Sequence, residues 1–144
     1  MEQRFTVDVE AAPEPVFELV ADLDRYPEWL DLVHKVERAA AGDGPAAWWV
    51  TLRAVVGPFA RSKRLRMLRT ADEAPHWVRF ERAEVDGRDH SAWILESEVC
   101  AAGDGSSVTM TLRYDGRLWS PVLGGVLERQ VARATENLRS LATG

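Results

Sequence analysis

Apolar and polar residues alternate with period two in Phe5-Thr6-Val7-Asp8-Val9, which predicts a strand with Phe5, Val7 and Val9 on its buried face. The pattern breaks at Pro13 and Pro15, and Val16, Phe17, Leu19 and Val20 then form a helical stripe. Both prolines fit a first helical turn, where the missing N–H has no intrahelical partner to lose. Asp22 or Asp24 is placed to cap a second short helix carrying Tyr26, Pro27 and Trp29. Period two then returns. Strands are predicted over Val33 to Arg38, over Trp48 to Leu52 with Trp48, Val50 and Leu52 on one face, and over Phe59 to Arg69 with Leu65 and Met67 together. Three more follow: Trp77 to Val85 with Val78 and Phe80 together, a strand aligning Trp93 with Leu95, and Val108 to Tyr114. Turn signals separate them at Ala41 to Pro45, Gly57-Pro58, Asp72 to Pro75, Asp86 to Asp89 and Gly103 to Gly105. Ser120, as an N-cap, and Pro121 announce a final helix reaching about Ala142. Its stripe is Leu123, Leu127, Val131, Ala134, Leu138 and Leu141, with Glu128, Arg129, Arg133, Glu136 and Arg139 on the other side.

Successive hairpins imply an antiparallel sheet, and a long amphipathic helix must bury its stripe on that sheet. The expectation is an α+β fold of about seven strands in a single domain over residues 1–144, a length that buries a real core. A net charge of -5 argues against nucleic acid as partner, because phosphate binding needs clustered cations. No apolar run is long enough to span a membrane, and no secretory leader opens the chain. Cys100 is the one cysteine, so no internal disulfide forms, and a reducing cytoplasm is the default location. It is read as a small buried hydrophobe at the end of a strand. His34, His76 and His90 lack metal-ligand spacing with one another and with Cys100. No phosphate-binding loop, dinucleotide fingerprint or nucleophile elbow is present. No metal, cofactor or catalytic residue is therefore assigned.

The segment Ala11-Ala12-Pro13-Glu14-Pro15-Val16-Phe17, running into Asp22-Leu23-Asp24-Arg25-Tyr26-Pro27-Glu28-Trp29-Leu30, resembles the START-like superfamily of polyketide cyclases, coenzyme Q-binding proteins and lipid-transfer proteins. The strands and the long last helix extend the resemblance over nearly the whole chain. It implies a helix-grip fold: a curved antiparallel sheet around the C-terminal helix, two short helices after the first strand, and an apolar cavity between.

Six tryptophans in 144 residues favour a wide interior. They are Trp29, Trp48, Trp49, Trp77, Trp93 and Trp119. Candidate ligand contacts are Trp29, Leu52, Met67, Phe80, Trp93, Leu95, Met110, Leu112, Leu123 and Leu127, with Arg82 and Tyr114 as polar members. Arg82 and Glu84 share parity with Val78 and Phe80, so a concave sheet turns both charges toward the cavity mouth. The pair then orients a ligand carbonyl or carboxylate, satisfies itself, or reaches water if the sheet curls away. Arg61-Ser62-Lys63-Arg64-Leu65-Arg66 is read as a solvated or edge-protecting face, with an anionic surface as the sharper alternative. Gly124-Gly125 softens the start of the last helix, through close packing or as a gate to the cavity.

The leading functional expectation is a non-catalytic carrier of a small hydrophobic ligand: a lipid, a quinone or a polyketide-like molecule. The alternative is a polyketide aromatase/cyclase that positions its substrate and moves protons with Arg82, Tyr114 and His34. A protein-interaction module using an exposed apolar patch is the third.

Overall fold

The computed structural model describes residues 1–40, 43–115 and 120–144. Seven strands form one antiparallel sheet in the order β1-β7-β6-β5-β4-β3-β2. They are β1 (Glu2–Val9), β2 (Val33–Ala39), β3 (Ala47–Val56), β4 (Phe59–Glu73), β5 (Trp77–Arg82), β6 (Trp93–Ala102) and β7 (Gly105–Tyr114). Helix α1 (Pro13–Val20) and a 3₁₀ helix (Leu23–Glu28) lie between β1 and β2. Helix α2 (Ser120–Thr143) closes the fold, one residue longer at each end than its periodicity predicts. This is the START-like helix-grip architecture.

Chain-adjacent hairpins build most of the sheet, and β1 returns to pair with β7. Gly57 supplies the positive φ of 59° that the tight β3–β4 turn requires. Gly105 is demanded by proximity: a Cβ there would sit 2.5 Å from the Val9 carbonyl oxygen, where β1 leaves the sheet for α1. Next to it the Ser106 hydroxyl donates to the Ala11 carbonyl at 2.6 Å, tying that exit to β7. Pro13 stands in the first turn of α1, and Asp22 rather than Asp24 caps the 3₁₀ helix, accepting the Asp24 N–H at 3.0 Å.

Several boundaries differ from the sequence expectation, each for a local reason. The Asp72 to Pro75 turn shrinks, because a register shift between Arg69 and Ala71 lets β4 stay paired as far as Glu73. β5 stops at Arg82 rather than Val85. Beyond it the Glu84 carboxylate, not a backbone carbonyl, accepts the Arg66 N–H at 3.1 Å. The expected tight hairpin at Asp86 to Asp89 is a longer loop, folded on Asp86, which accepts from the Arg88 N–H and bonds the His90 ring. Cys100 lies within β6, not at its end, and it is exposed. Trp93, Ser97 and Val99 are buried on the inner face of that strand, so the even position points outward. The Cys100 thiol is held above its ordinary pKa by its hydrogen bond to Glu98, which disfavours the thiolate. Trp119, the Ala41-Gly42 part of the first turn signal and the Ser120 cap fall outside the described residues and side chains.

Candidate functional site

The concave face of the sheet, α2 and the 3₁₀ helix border a partly open apolar cavity of about 120 Å³. β1 contributes Phe5 and Val7, β3 Val50 and Leu52, β4 Leu65 and Met67, β6 Trp93 and Leu95, and β7 Met110 and Leu112. Each strand offers alternate residues, as a period-two wall must. α2 offers Leu127, Val131, Ala134, Thr135 and Leu138 from one helical face. The segment from Leu23 to Val33 closes one end with Leu23, Tyr26, Trp29, Leu30, Leu32 and Val33. α2 grips that segment: Gln130 accepts the Leu32 N–H at 2.8 Å, Asn137 donates to the Trp29 carbonyl at 3.4 Å, and Arg133 pairs with Asp31 at 3.1 Å.

The hydroxyls of Tyr26 and Thr135 and the indole N–H of Trp29 are turned to internal partners. The Tyr26 hydroxyl donates to the Val20 carbonyl at 2.8 Å, the Trp29 indole N–H to the Leu19 carbonyl at 3.2 Å, and the Thr135 hydroxyl to the Val131 carbonyl at 2.8 Å. Burial pushes the Tyr26 hydroxyl well above the ordinary phenol value of 10.0. The buried Ser97 hydroxyl pulls the other way, although it makes no well-formed hydrogen bond among the described residues, and the Asp22 charge adds a little to the rise. Tyr26 is thus a neutral donor at physiological pH and no general base.

A pH dependence follows from that shift. Ionised Tyr26 is disfavoured in the folded state alone, so its contribution to stability is intact below pH 10.0 and declines as pH rises beyond it, by up to ~1.4 kcal/mol per unit. Tyr26→Phe is expected to cost about 1 kcal/mol at neutral pH, by leaving the Val20 carbonyl without its donor, and to flatten the alkaline decline. Urea titrations at neutral and alkaline pH check both; an equal alkaline loss in the variant would remove Tyr26 as its source.

Of the candidate contacts, the fold brings Trp29, Leu52, Met67, Trp93, Leu95, Met110, Leu112 and Leu127 together on the cavity wall. Phe80, Arg82, Tyr114 and Leu123 are placed elsewhere. Phe80 is wholly buried edge-on between Trp48 and Tyr26, with ring centroids 5.7 and 6.2 Å away. Leu123 is buried near the start of α2. Tyr114 stacks on Trp93 at 5.4 Å, its hydroxyl buried and without a hydrogen-bond partner among the described residues. Arg82 satisfies itself: it pairs with Glu84 at 3.0 Å and donates to the Ser91 carbonyl at 3.2 Å. The side chains of the pair are 8 % and 9 % exposed, so the two charges neither reach open water nor join the wall. His34 is exposed at the register shift that opens β2, and His76 and His90 are exposed as well. The aromatase set of Arg82, Tyr114 and His34 therefore does not converge on the cavity.

The basic stretch of β4 is more structured than a solvated face. Arg64 lies 4.2 Å from the centre of the Trp49 ring, and Arg66 is buried, donating to the Ala83 carbonyl at 2.9 Å and the Ala40 carbonyl at 3.3 Å. The glycine pair at the start of α2 is not imposed by a backbone wall. A Cβ on Gly124 meets the end of the Gln3 side chain at 3.0 Å, and one on Gly125 meets Arg129 at 3.4 Å. Among the described residues the exposed large apolar side chains are Met1, Val55, Phe59 and Val85.

Wall residues not anticipated as contacts are Phe5, Val7, Leu23, Tyr26, Leu30, Leu32, Val33, Val50, Leu65, Val131, Ala134, Thr135 and Leu138. The parity of β1 and the α2 stripe already carried the signal for Phe5, Val7, Val131, Ala134 and Leu138. Nothing in the local pattern marks Leu30 or Leu32, which reach the cavity because the segment after the 3₁₀ helix is fastened to α2.

A seven-stranded grip on a long helix, with an apolar cavity between, defines the START-like class. The chain belongs to the polyketide cyclase / dehydrase and lipid transport family, whose model matches residues 2–143. Solved structures repeat the fold. A protein from Thermus thermophilus superposes with a TM-score of 0.70 at 20% identity, covering 99% of this chain and 97% of its own. A START superfamily protein from Mycobacterium smegmatis gives 0.71 at 14% identity over the same shares. The di-domain ARO/CYC StfQ of the steffimycin biosynthetic pathway gives 0.68 at 10% identity, with 99% of this chain matched to 50% of that one. No curated protein matches the chain at a significant level. No helix among the described residues is long and apolar enough to cross a membrane.

Proposed function

We propose that the protein binds and carries a small hydrophobic ligand, without transforming it, in the cavity between the sheet and α2. The observation that supports this is the cavity wall itself. It is built of aliphatic and aromatic side chains, and its Tyr26, Trp29 and Thr135 donors are spent on backbone carbonyls. Such a site holds apolar matter well and moves protons poorly. A volume of about 120 Å³ is comparable to the apolar cavity of about 150 Å³ that accepts benzene, so the space holds one ring or a short alkyl segment of a ligand whose remainder extends through the cavity's open side. A lipid, a quinone or a polyketide-like molecule presents such a part. The lone cysteine is in keeping with a carrier of the reducing cytoplasm.

A neutral fluorescent probe, N-phenyl-1-naphthylamine, is expected to bind saturably with one site per chain. Trp93→Ala and Met110→Ala remove wall contacts and should each weaken it about tenfold, or ~1.4 kcal/mol. Non-saturable binding, or unchanged affinity in both folded variants, would dismiss the reading. The likeness to an aromatase/cyclase di-domain supports cyclisation as a second reading. It requires acid and base groups on the wall, and Arg82, Tyr114 and His34 do not supply them.

A further inference from the structure

Lys63 stands where the apolar wall meets the rim. It lies directly across from Leu52 on β3 and shares a face of β4 with Leu65 and Met67, all three of them wall residues. Side chains opposite each other in an antiparallel pair have Cβ atoms about 4.5–5.5 Å apart, so the lysine stem lies beside the wall residue Leu52. On its other side the β5 ladder begins only at Met67, opposite Arg82. The ammonium is therefore flanked not by a strand but by the end of β5 and the loop that carries Glu84. Lys63 is half-buried, and it makes no hydrogen bond or ion pair with the described residues. Burial holds its ammonium below the ordinary lysine value, Arg82 repels it further, and Glu84 only partly offsets the two.

Glu84 is shared with other donors and only partly offsets the charge of Lys63. One of its oxygens already accepts from Arg82 Nε at 3.0 Å and from the Arg66 N–H at 3.1 Å. Arg82 and Lys63 thus share the one carboxylate of Glu84, which leaves the Lys63 charge incompletely compensated in a half-buried setting. A buried or half-buried charge gains most from a partner that also hydrogen-bonds.

We propose that the cavity takes an amphipathic acid, its apolar body against the wall and its carboxylate held at the rim by Lys63. This rests on the carrier reading above and narrows it: the ligand is an anionic hydrophobic acid rather than a neutral lipid or quinone. Lys63 orients it, and no bond is made or broken.

The test pairs two ligands with one ring system, 2-naphthoate and 2-naphthalenemethanol, titrated by calorimetry at low ionic strength into the wild type, Lys63→Met and Lys63→Arg. The wild type is expected to bind the acid about tenfold or more tighter than the alcohol. Lys63→Met should erase that preference while leaving the alcohol affinity within about twofold, a control for folding, and Lys63→Arg should retain it. A wild type that binds the alcohol as tightly as the acid overturns the proposal. So does a Lys63→Met variant that keeps the preference or loses affinity for both ligands alike. Failure of both ligands to bind the wild type overturns the carrier reading, and this proposal with it.

Discussion

Replacing Ala134 with phenylalanine should silence the cavity while leaving the fold in place. Ala134 is 8 % exposed on the inner face of α2, between Val131 and Leu138 on the wall. A phenyl group there enters a space of about 120 Å³, close to the size that holds a benzene ring. Overfilling a tight core costs about 1–3 kcal/mol, but here much of the added volume enters a void, so the loss of stability should fall at or below the low end of that range. Affinity for the neutral naphthylamine probe should drop at least about tenfold, equivalent to ~1.4 kcal/mol or more. Ala132→Phe supplies the control, because Ala132 is exposed on the outer side of the same helix and its variant should bind as the wild type does. If folded Ala134→Phe keeps wild-type affinity, the ligand does not occupy this cavity.

The largest loss of stability is expected from Trp48→Ala. Trp48 is 0 % exposed on β3 and meets Phe80 of β5 edge-on at 5.7 Å. Phe80 meets Tyr26 at 6.2 Å, and Tyr26 packs on Trp29 at 4.6 Å. The guanidinium carbons of Arg38 and Arg69 lie 5.2 and 5.6 Å from the Trp48 ring. Arg69 also donates to the Ala21 carbonyl at 2.8 Å, so the same region ties the sheet to the end of α1. Truncation of so large a buried aromatic costs about 3–5 kcal/mol, a large share of the ~5–15 kcal/mol available to a domain. Trp48→Phe should cost clearly less, because the indole N–H it removes has no hydrogen-bond partner among the described residues. Trp77→Ala, at a half-buried position beneath Arg79, should also cost less. Urea unfolding followed by far-ultraviolet circular dichroism ranks the three; a Trp48→Ala loss no larger than that of Trp77→Ala would remove Trp48 from the centre of the fold.

These two positions differ in how openly the chain displays them. Trp48 sits in an alternating run, so its burial follows from period two, and the turn residues around that run delimit the strand. Ala134 also follows from the α2 stripe, yet whether an inward small residue packs against a neighbour or borders empty space depends on what stands opposite. The same division runs through the candidate contacts. Met110 and Leu112 reach the cavity as their parity requires, but Phe80, of equally good parity, is sealed in by Trp48 and Tyr26. Arg82 shares that face and is drawn to Glu84 instead, because a buried guanidinium is stable only with a partner and the chain returns one two residues later. Cys100, read as buried, is exposed because the neighbouring inward positions of β6 fix its parity outward.

What the chain determined alone is the order of its elements and the inward residues of most of them. Hydrophobic periodicity, proline placement and turn residues act over a few positions, and those signals survive without any knowledge of the partner surface. What only the tertiary structure decided is which inward residues border a void and which charges meet at its rim. Register pairs Leu52 with Lys63 and Met67 with Arg82, α2 fastens the segment after the 3₁₀ helix, and β5 ends early beside Glu84. Each of these depends on residues far apart in the chain arriving at one place, and a cavity exists only as the space such arrivals leave unfilled.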